Sequence, residues 1–354
     1  MKKFHSQLKN LFIIIVLFVN FGIVTHATEE KSELVFLNWD KYIDPELVKA
    51  FEAKFHVKLK PVYFETDETR TELLLTTDGK GYDVAIVADS HIASYVKRGW
   101  LAPIEKSKLP NLRHVDSQWL ESLGHTKRYV VPYLWGTLGI VHRKDLIKEE
   151  ITSWKQLYQP SSAFQGKIVM INDSGELIGL ALKSLGYSPN SSKKKELDAA
   201  KKLLLAQKPY VRAYEYPDMG KDSKLVTGEI WMAMMYNGDA LALKDEHPQI
   251  VFTVPEEGSM LWCDYLVVMA GSQKKKLAMD FINFLTEPQN AARLSEYLQF
   301  ASPNKSAEKL LPKEHLKNPL IYPTPAVLAN SELFKTKKAR VRKKWNAIYS
   351  KVIE

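Results

Sequence analysis

The segment ELVFLNWDKYIDPELVKAFEAKFHVKLKPVYFETDETRTELLLTTDGKGYDVAIVADS (33–90) reads as strand, helix, strand, helix, strand. Residues 33–38 form a short apolar run. Asp44 followed by Pro45 marks a helix start, because a carboxylate caps free N–H groups and proline tolerates the first helical position. Leu47, Val48, Phe51 and Phe55 then recur at helical spacing through 45–55. Residues 57–64 read as a second strand, 68–77 as a second helix, and 82–87 as a short strand of the kind buried on both faces. Residues 92–98 follow as a helix. This order predicts an α/β lobe with a largely parallel sheet. In such sheets ligands sit beyond the carboxyl ends of the strands. Those ends are Asn38-Trp39-Asp40 and Ala88-Asp89-Ser90, which places Trp39, Asp40, Tyr42 and Asp89 near a cleft.

The second half repeats the pattern. Residues 167–171 read as a strand ending at Asn172-Asp173, and 175–185 as a helix with Glu176 in its first turn. Residues 230–235 read as a strand running into Tyr236-Asn237-Gly238-Asp239. Further strands are expected at 251–254 and 265–269, with Asp264 in the loop before the last. The chain is longer than one hydrophobic core usually supports, so two lobes are expected.

The N-terminus carries Lys2, Lys3 and Lys9, then an apolar run from Leu11 to Val24, then Thr25-His26-Ala27. That is the three-part layout of a secretory signal peptide, with cleavage expected after Ala27. The run is shorter than the roughly 20 residues a spanning helix needs, which argues against a membrane anchor. The expected product is a soluble periplasmic protein. Removing residues 1–27 takes three lysines and no acid, so the net charge falls from +9 to +6. The lysines are dispersed, apart from Lys193–Lys195, Lys274–Lys276 and a basic C-terminal stretch, all of which read as solvated faces. No basic block interleaved with aromatics points to nucleic acid. The single cysteine, Cys263, excludes an intramolecular disulfide and a thiolate metal cluster.

No nucleophile elbow, zinc-protease, Walker or dinucleotide motif is present. The nine histidines are scattered. No cofactor is expected. What the strand ends share is composition: Trp39-Asp40-Lys41-Tyr42, Asp89-Ser90-His91, Asp173-Ser174-Gly175-Glu176, Tyr236-Asn237-Gly238-Asp239 and Trp262-Cys263-Asp264 pair acids with aromatic or small residues. Carboxylates bind ammonium groups through charge-assisted hydrogen bonds. Aromatic faces cover methylene chains and attract cations. So many acids in one cleft repel one another unless a cation sits among them. That favours a linear polyamine over a sugar. Local alternatives stand beside this reading. Asp40 can be a turn residue, Asp89 with Ser90 can cap the helix 92–98, and Asp173 can cap the helix carrying Glu176 in a capping box. Asp173 and Glu176 can also be read as a glycosidase carboxylate pair.

Eight segments carry a family likeness: LNWDKYI (37–43), GYDVAIVADS (81–90), LAPIEKSKLPNL (101–112), VPYLWGTLGI (131–140), LKSLGYSPN (182–190), GEIWMAMMYNGDA (228–240), VPEEGSMLWCDYLVV (254–268) and INFLTEPQNAARLSEYLQFASPN (282–304). In this order they resemble the spermidine/putrescine-binding receptors of polyamine ABC transporters. The resemblance implies a two-lobe periplasmic binding protein of type II, with hinge strands and a ligand cleft. Lobe one would be 31–138 plus 266–308, and lobe two 139–265 plus 309–354. It implies a polyamine ligand, a membrane permease as partner, a monomer and no enzymatic activity. Trp39 and Tyr42 match the family's N-W-x-x-Y wall, and Asp173 with Glu176 matches D-x-x-E. Trp262 with Asp264 matches W-x-D. Tyr236 falls where the family often has Trp, Asp239 matches an acid of the putrescine-preferring branch, and Phe300 matches a wall aromatic.

The chain departs from the family at Val87-Ala88-Asp89-Ser90, where P-S-x-Y is usual, and at Lys41, where the putrescine branch has an acid. Phe334 falls near a glutamine of the spermidine branch, and the tail SELFKTKKARVRKKW (331–345) is closer to the putrescine branch. These departures leave room for a different small organic cation, and a polyamine sensor is the other alternative.

Overall fold

The computed structural model describes residues 32–335 and 337–354. The signal peptide expected over 1–27 lies outside the described residues. The described residues form ten strands: β1 (Glu33–Trp39), β2 (Lys58–Phe64), β3 (Val84–Ala88), β4 (Val130–Arg143), β5 (Ile168–Met170), β6 (Val211–Tyr214), β7 (Met232–Tyr236), β8 (Ile250–Thr253), β9 (Met260–Val268) and β10 (Glu332–Leu333). They form one path, β2-β1-β3-β9-β4-β7-β5-β6, with β10 paired to β9 and β8 to β4.

The sheet is mixed rather than largely parallel. β1 pairs in parallel with β2 and β3, and β5 pairs in parallel with β6 and β7. Between these parallel groups stand β9 and β4, both antiparallel to their neighbours along this path, while β10 adds to β9 in parallel. Every one of the 14 residues of β4 is buried. Its first part, Val130 to Thr137, pairs with β9, and its second part, from Leu138, pairs with β7 and β8. One strand therefore belongs to both halves of the sheet.

Successive strand side chains alternate between faces, and each half of the sheet accordingly carries two cores. In the β1 half, Phe36, Val84, Ile86, Leu266 and Val268 fill one face, while Leu37, Ala85, Val87, Tyr265 and Val267 fill the other. In the β5 half, Ile140, Ile168, Met170, Met232 and Met234 fill one face, and Val141, Val169, Ala233 and Met235 the other. Cys263 lies in one of these cores, buried and unpaired with sulfur among the described residues.

The first helix starts where the sequence provides a cap. The Asp44 carboxylate accepts the Glu46 N–H at 2.8 Å, Pro45 opens the helix Pro45–Phe55, and His56 closes it at a left-handed φ of 54°. Leu47 and Phe51 face the core. Residues Ser32–Glu354 pack as one compact unit.

Candidate functional site

The sheet positions the site. On β9, Met260 belongs to the core of the β5 half, and Leu266 to the core of the β1 half. The even-numbered positions between them are Trp262 and Asp264. On β4 the same alternation runs from Leu134 in one core to Leu138 in the other, with Gly136 between. Gly136 is directly paired with Trp262. A Cβ on Gly136 would lie 2.6 Å from the Trp262 ring, so glycine is what lets the indole lie against the strand. Trp262 and Asp264 thus lie where the two cores meet. The loop position expected for Asp264 is not observed. It is an interior residue of β9, opposite Leu134 on one side and Ala88 on the other.

Aromatic rings form a continuous series across this junction. Tyr133 meets Tyr42 at 5.5 Å, Tyr42 meets Phe300 at 5.8 Å, and Phe300 meets Trp262 at 5.0 Å. Trp262 meets Tyr236 at 5.7 Å, and Tyr236 meets Tyr216 at 5.6 Å. Most contacts are edge to face, the geometry that ring quadrupoles favour. Trp39 stands apart from this series. Its ring packs on Phe64 at 4.4 Å, and Phe64 lies against the Arg70 guanidinium at 5.1 Å.

The acids gather beside these rings. Asp173 is the N-cap of the helix Ser174–Ser184, and its Oδ1 accepts the Glu176 N–H at 2.8 Å. The capping reading is correct for Asp173, but Glu176 does not complete a capping box. Its Oε1 instead accepts the Tyr236 hydroxyl at 2.6 Å. Asp89 opens the helix Asp89–Lys97 from its first turn and is not the N-cap, which is Ala88. Ser90 is half-buried, with its hydroxyl 2.9 Å from His91 Nδ1. Asp239 lies behind the others and accepts the Tyr216 hydroxyl. Asp40 is exposed on the turn after β1.

Burial governs the charge state of these groups, since a carboxylate leaving water favours its neutral form. Burial, reinforced by Asp264 and Asp67 and opposed by the Ser90 N–H, pushes Asp89 up to about 8. Burial and the charge of Asp67 push Asp264 up to about 7, against the opposing field of Arg70. Burial pushes Asp173 up to about 6, and burial with the neighbouring Asp173 pushes Glu176 well above the usual range. Burial also raises Asp239. Asp89, Asp173, Glu176 and Asp264 thus all feel the charge of Asp67, across both halves of the sheet.

Several polar atoms facing this cluster lack hydrogen-bond partners among the described residues: Asp89 Oδ2, Glu176 Oε2, Tyr42 Oη and Trp262 Nε1. Buried polar atoms are normally satisfied, so an unpartnered group of carboxylate oxygens marks a place for donors. A ligand carrying N–H groups and apolar carbon fits both the acids and the rings. No group of three potential metal ligands occurs among the described residues.

The structure adds groups that the sequence reading missed. Arg70, fully buried, forms an ion pair with Asp67 and donates to Tyr95 at 3.3 Å. Asp67 also lies 3.3 Å from His91. A sequence signal existed, since Arg70 shares a helix face with the buried Leu74 four residues on. Lys337 is the other addition. It falls in the basic C-terminal stretch read as solvated, yet its Nζ is buried.

A model of the family described as bacterial extracellular solute-binding protein matches residues 46–323. The chain is 30% identical to the spermidine/putrescine-binding periplasmic protein of Salmonella typhimurium, over 87% of each chain. It is 32% identical to the norspermidine sensor of Vibrio cholerae, over 82% of this chain and 80% of that one. A solved spermidine/putrescine ABC transporter substrate-binding protein from Streptococcus pneumoniae superposes with a TM-score of 0.80 at 26% identity, over 91% of this chain and 98% of that one. Sheet topology, the site between two cores and these matches agree on a two-lobe α/β binding protein, and the chain belongs to the bacterial extracellular solute-binding protein family.

Proposed function

We propose that this protein is a periplasmic receptor that captures a polyamine, putrescine or spermidine, and delivers it to the permease of an ABC importer. The observation that carries the reading is the set of buried, unpartnered carboxylate oxygens of Asp89 and Glu176 beside the rings of Tyr42, Trp262 and Tyr236. Ammonium groups supply the missing donors, and methylenes fill the space between the rings. The names of the relatives support the same ligand class. Phe300 and Tyr133 back the wall, and Asp264 and Asp173 complete the anionic lining. Trp39 packs on Phe64 beside the buried Arg70, and Asp239 braces Tyr216 and through it Tyr236.

Lobe one comprises 31–138 plus 266–308, and lobe two 139–265 plus 309–354, with residues 1–27 removed on export. Acids come from both lobes, so the ligand binds the closed form more tightly and shifts the population toward it. Micromolar affinity needs about 8 kcal/mol net, which a few desolvated ion pairs and stacked rings can supply. The receptor acts as a monomer and docks closed on its permease. The relative named a norspermidine sensor supports a second reading, in which the closed receptor signals to a membrane protein instead of feeding a transporter.

The test is calorimetric titration of the secreted protein, stripped of ligand by unfolding and refolding, with putrescine, cadaverine, spermidine and spermine. Saturable one-to-one binding of one of them is expected. No heat with any of the four refutes the ligand class. Loss of polyamine uptake on deleting the gene separates the transport reading from the sensor.

A further inference from the structure

We propose that Lys337 is a specificity-determining residue, whose ammonium lies between the rings of Phe334 and Trp345, fills one end of the cation cleft from within and restricts the ligand to a diamine. This inference rests on the polyamine reading above and names the ligand more narrowly.

Two rings enclose the group. Lys337 Nζ lies 3.4 Å from the centroid of Phe334 and 3.8 Å from that of Trp345. Phe334 and Trp345 meet edge to face, 6.4 Å apart. Such a pair of faces is what an aromatic cage offers to an alkylammonium ion. Trp345 is anchored, being 1% exposed within the core of the β5 half. Phe334 lies against the backbone between two of the acids. A Cβ on Gly175 would lie 2.7 Å from its ring, and Gly175 stands between Asp173 and Glu176 at the start of their helix. The cage therefore opens onto the Asp173–Glu176 end of the cleft.

The ammonium has no hydrogen-bond partner among the described residues. A surface lysine would be hydrated, and a structural one would be paired. Burial depresses Lys337 to about 7, against the favourable fields of Asp173 and Asp89. The field of a cation that belongs to the chain thus already reaches Asp173 and Asp89. Asp89 Oδ2 and Glu176 Oε2, both without partners among the described residues, remain for the ligand, which matches two ammonium groups. A third ammonium entering at the Asp173 end would meet Lys337 at close range in a poorly solvated space, where like charges repel strongly. Specificity of this kind comes from a repulsive element built against the wrong ligand.

The experiment titrates the refolded wild type, K337M, K337Q and K337R with putrescine and with spermidine. Wild type is expected to bind the diamine more tightly. K337M and K337Q, which remove the charge with a side chain of similar length, are expected to raise spermidine affinity relative to putrescine at least tenfold. K337R is expected to keep the wild-type order. An unchanged affinity ratio in K337M and K337Q, or a wild type that prefers spermidine, overturns the proposal while leaving the polyamine reading intact. Failure of every variant and the wild type to bind either amine overturns both.

Discussion

Ligand binding to this cleft should expel protons, and their number can be worked from the site. Asp89 sits at about 8, Asp264 at about 7 and Asp173 at about 6 in the empty cleft. At neutral pH they are then protonated by about nine-tenths, one half and one tenth, respectively. Alkylammonium groups stay charged through this range, and a bound cation favours the ionised carboxylate. Full ionisation in the complex releases about 1.5 protons per ligand, so log Ka should rise with a slope of about 1.5 near pH 7. That is roughly 30-fold, or about 2 kcal/mol, per pH unit. Glu176 adds to this release, and so does Lys337, which a ligand cation drives toward its neutral form. The assay is titration calorimetry with putrescine at pH 6, 7 and 8, in buffers of different ionisation enthalpy. The slope of observed heat against buffer enthalpy counts the protons. Heats independent of buffer with a flat log Ka, or proton uptake, would refute the argument that burial keeps these acids partly neutral.

Four further outcomes follow from the same contacts. Asp264→Asn removes a buried carboxylate at the centre of the cleft and should weaken putrescine binding by on the order of 3 kcal/mol, more than a hundredfold by calorimetry. Tyr236→Phe deletes the hydroxyl donor to Glu176 and should weaken it about tenfold, with an unchanged melting temperature within roughly 3 °C. Gly136→Ala places a Cβ against the Trp262 ring and should cost about 1–3 kcal/mol of stability, read from urea unfolding. The empty protein should lose stability as pH rises from about 5 to about 7, because acids whose folded pKa is raised favour folding only while protonated. Above pH 7 the depressed Lys337 pulls the other way, since its neutral form is the one the fold accommodates. Melting temperatures across this range, with and without putrescine, check the sign, and the ligand-induced rise should grow with pH.

The sequence was most legible where local chemistry and burial agree. The helix 45–55 has the same bounds in sequence and structure because Asp44 caps it, Pro45 opens it and Leu47 and Phe51 bury one face. Asp173 acts as the N-cap its position implied, and the acids at the ends of β3 and β5 do converge. Strand β4 escaped the reading. Fully buried on both faces, it has no period-2 alternation, and Pro132, Gly136 and Gly139 look like breakers until a register shift near Pro132 and the close approach of Trp262 explain two of them. The antiparallel β9 was cut short for a related reason, since Trp262 and Asp264 look like a loop when their partners on β4 are unknown. Arg70 and Lys337 escaped because a cation inside a polar or basic run looks solvated, and only long-range contacts with Tyr95, Phe334 and Trp345 reveal their burial.

The shared strand has a consequence for how the molecule comes apart. Because β4 gives one part of its ladder to β9 and the rest to β7 and β8, neither half of the sheet can be lost without stripping backbone hydrogen bonds from the strand that completes the other. A two-lobe protein joined by a plain linker melts lobe by lobe. Here the hinge is itself a central strand of the sheet, so the lobes unfold as one cooperative unit and heat should produce a single calorimetric transition.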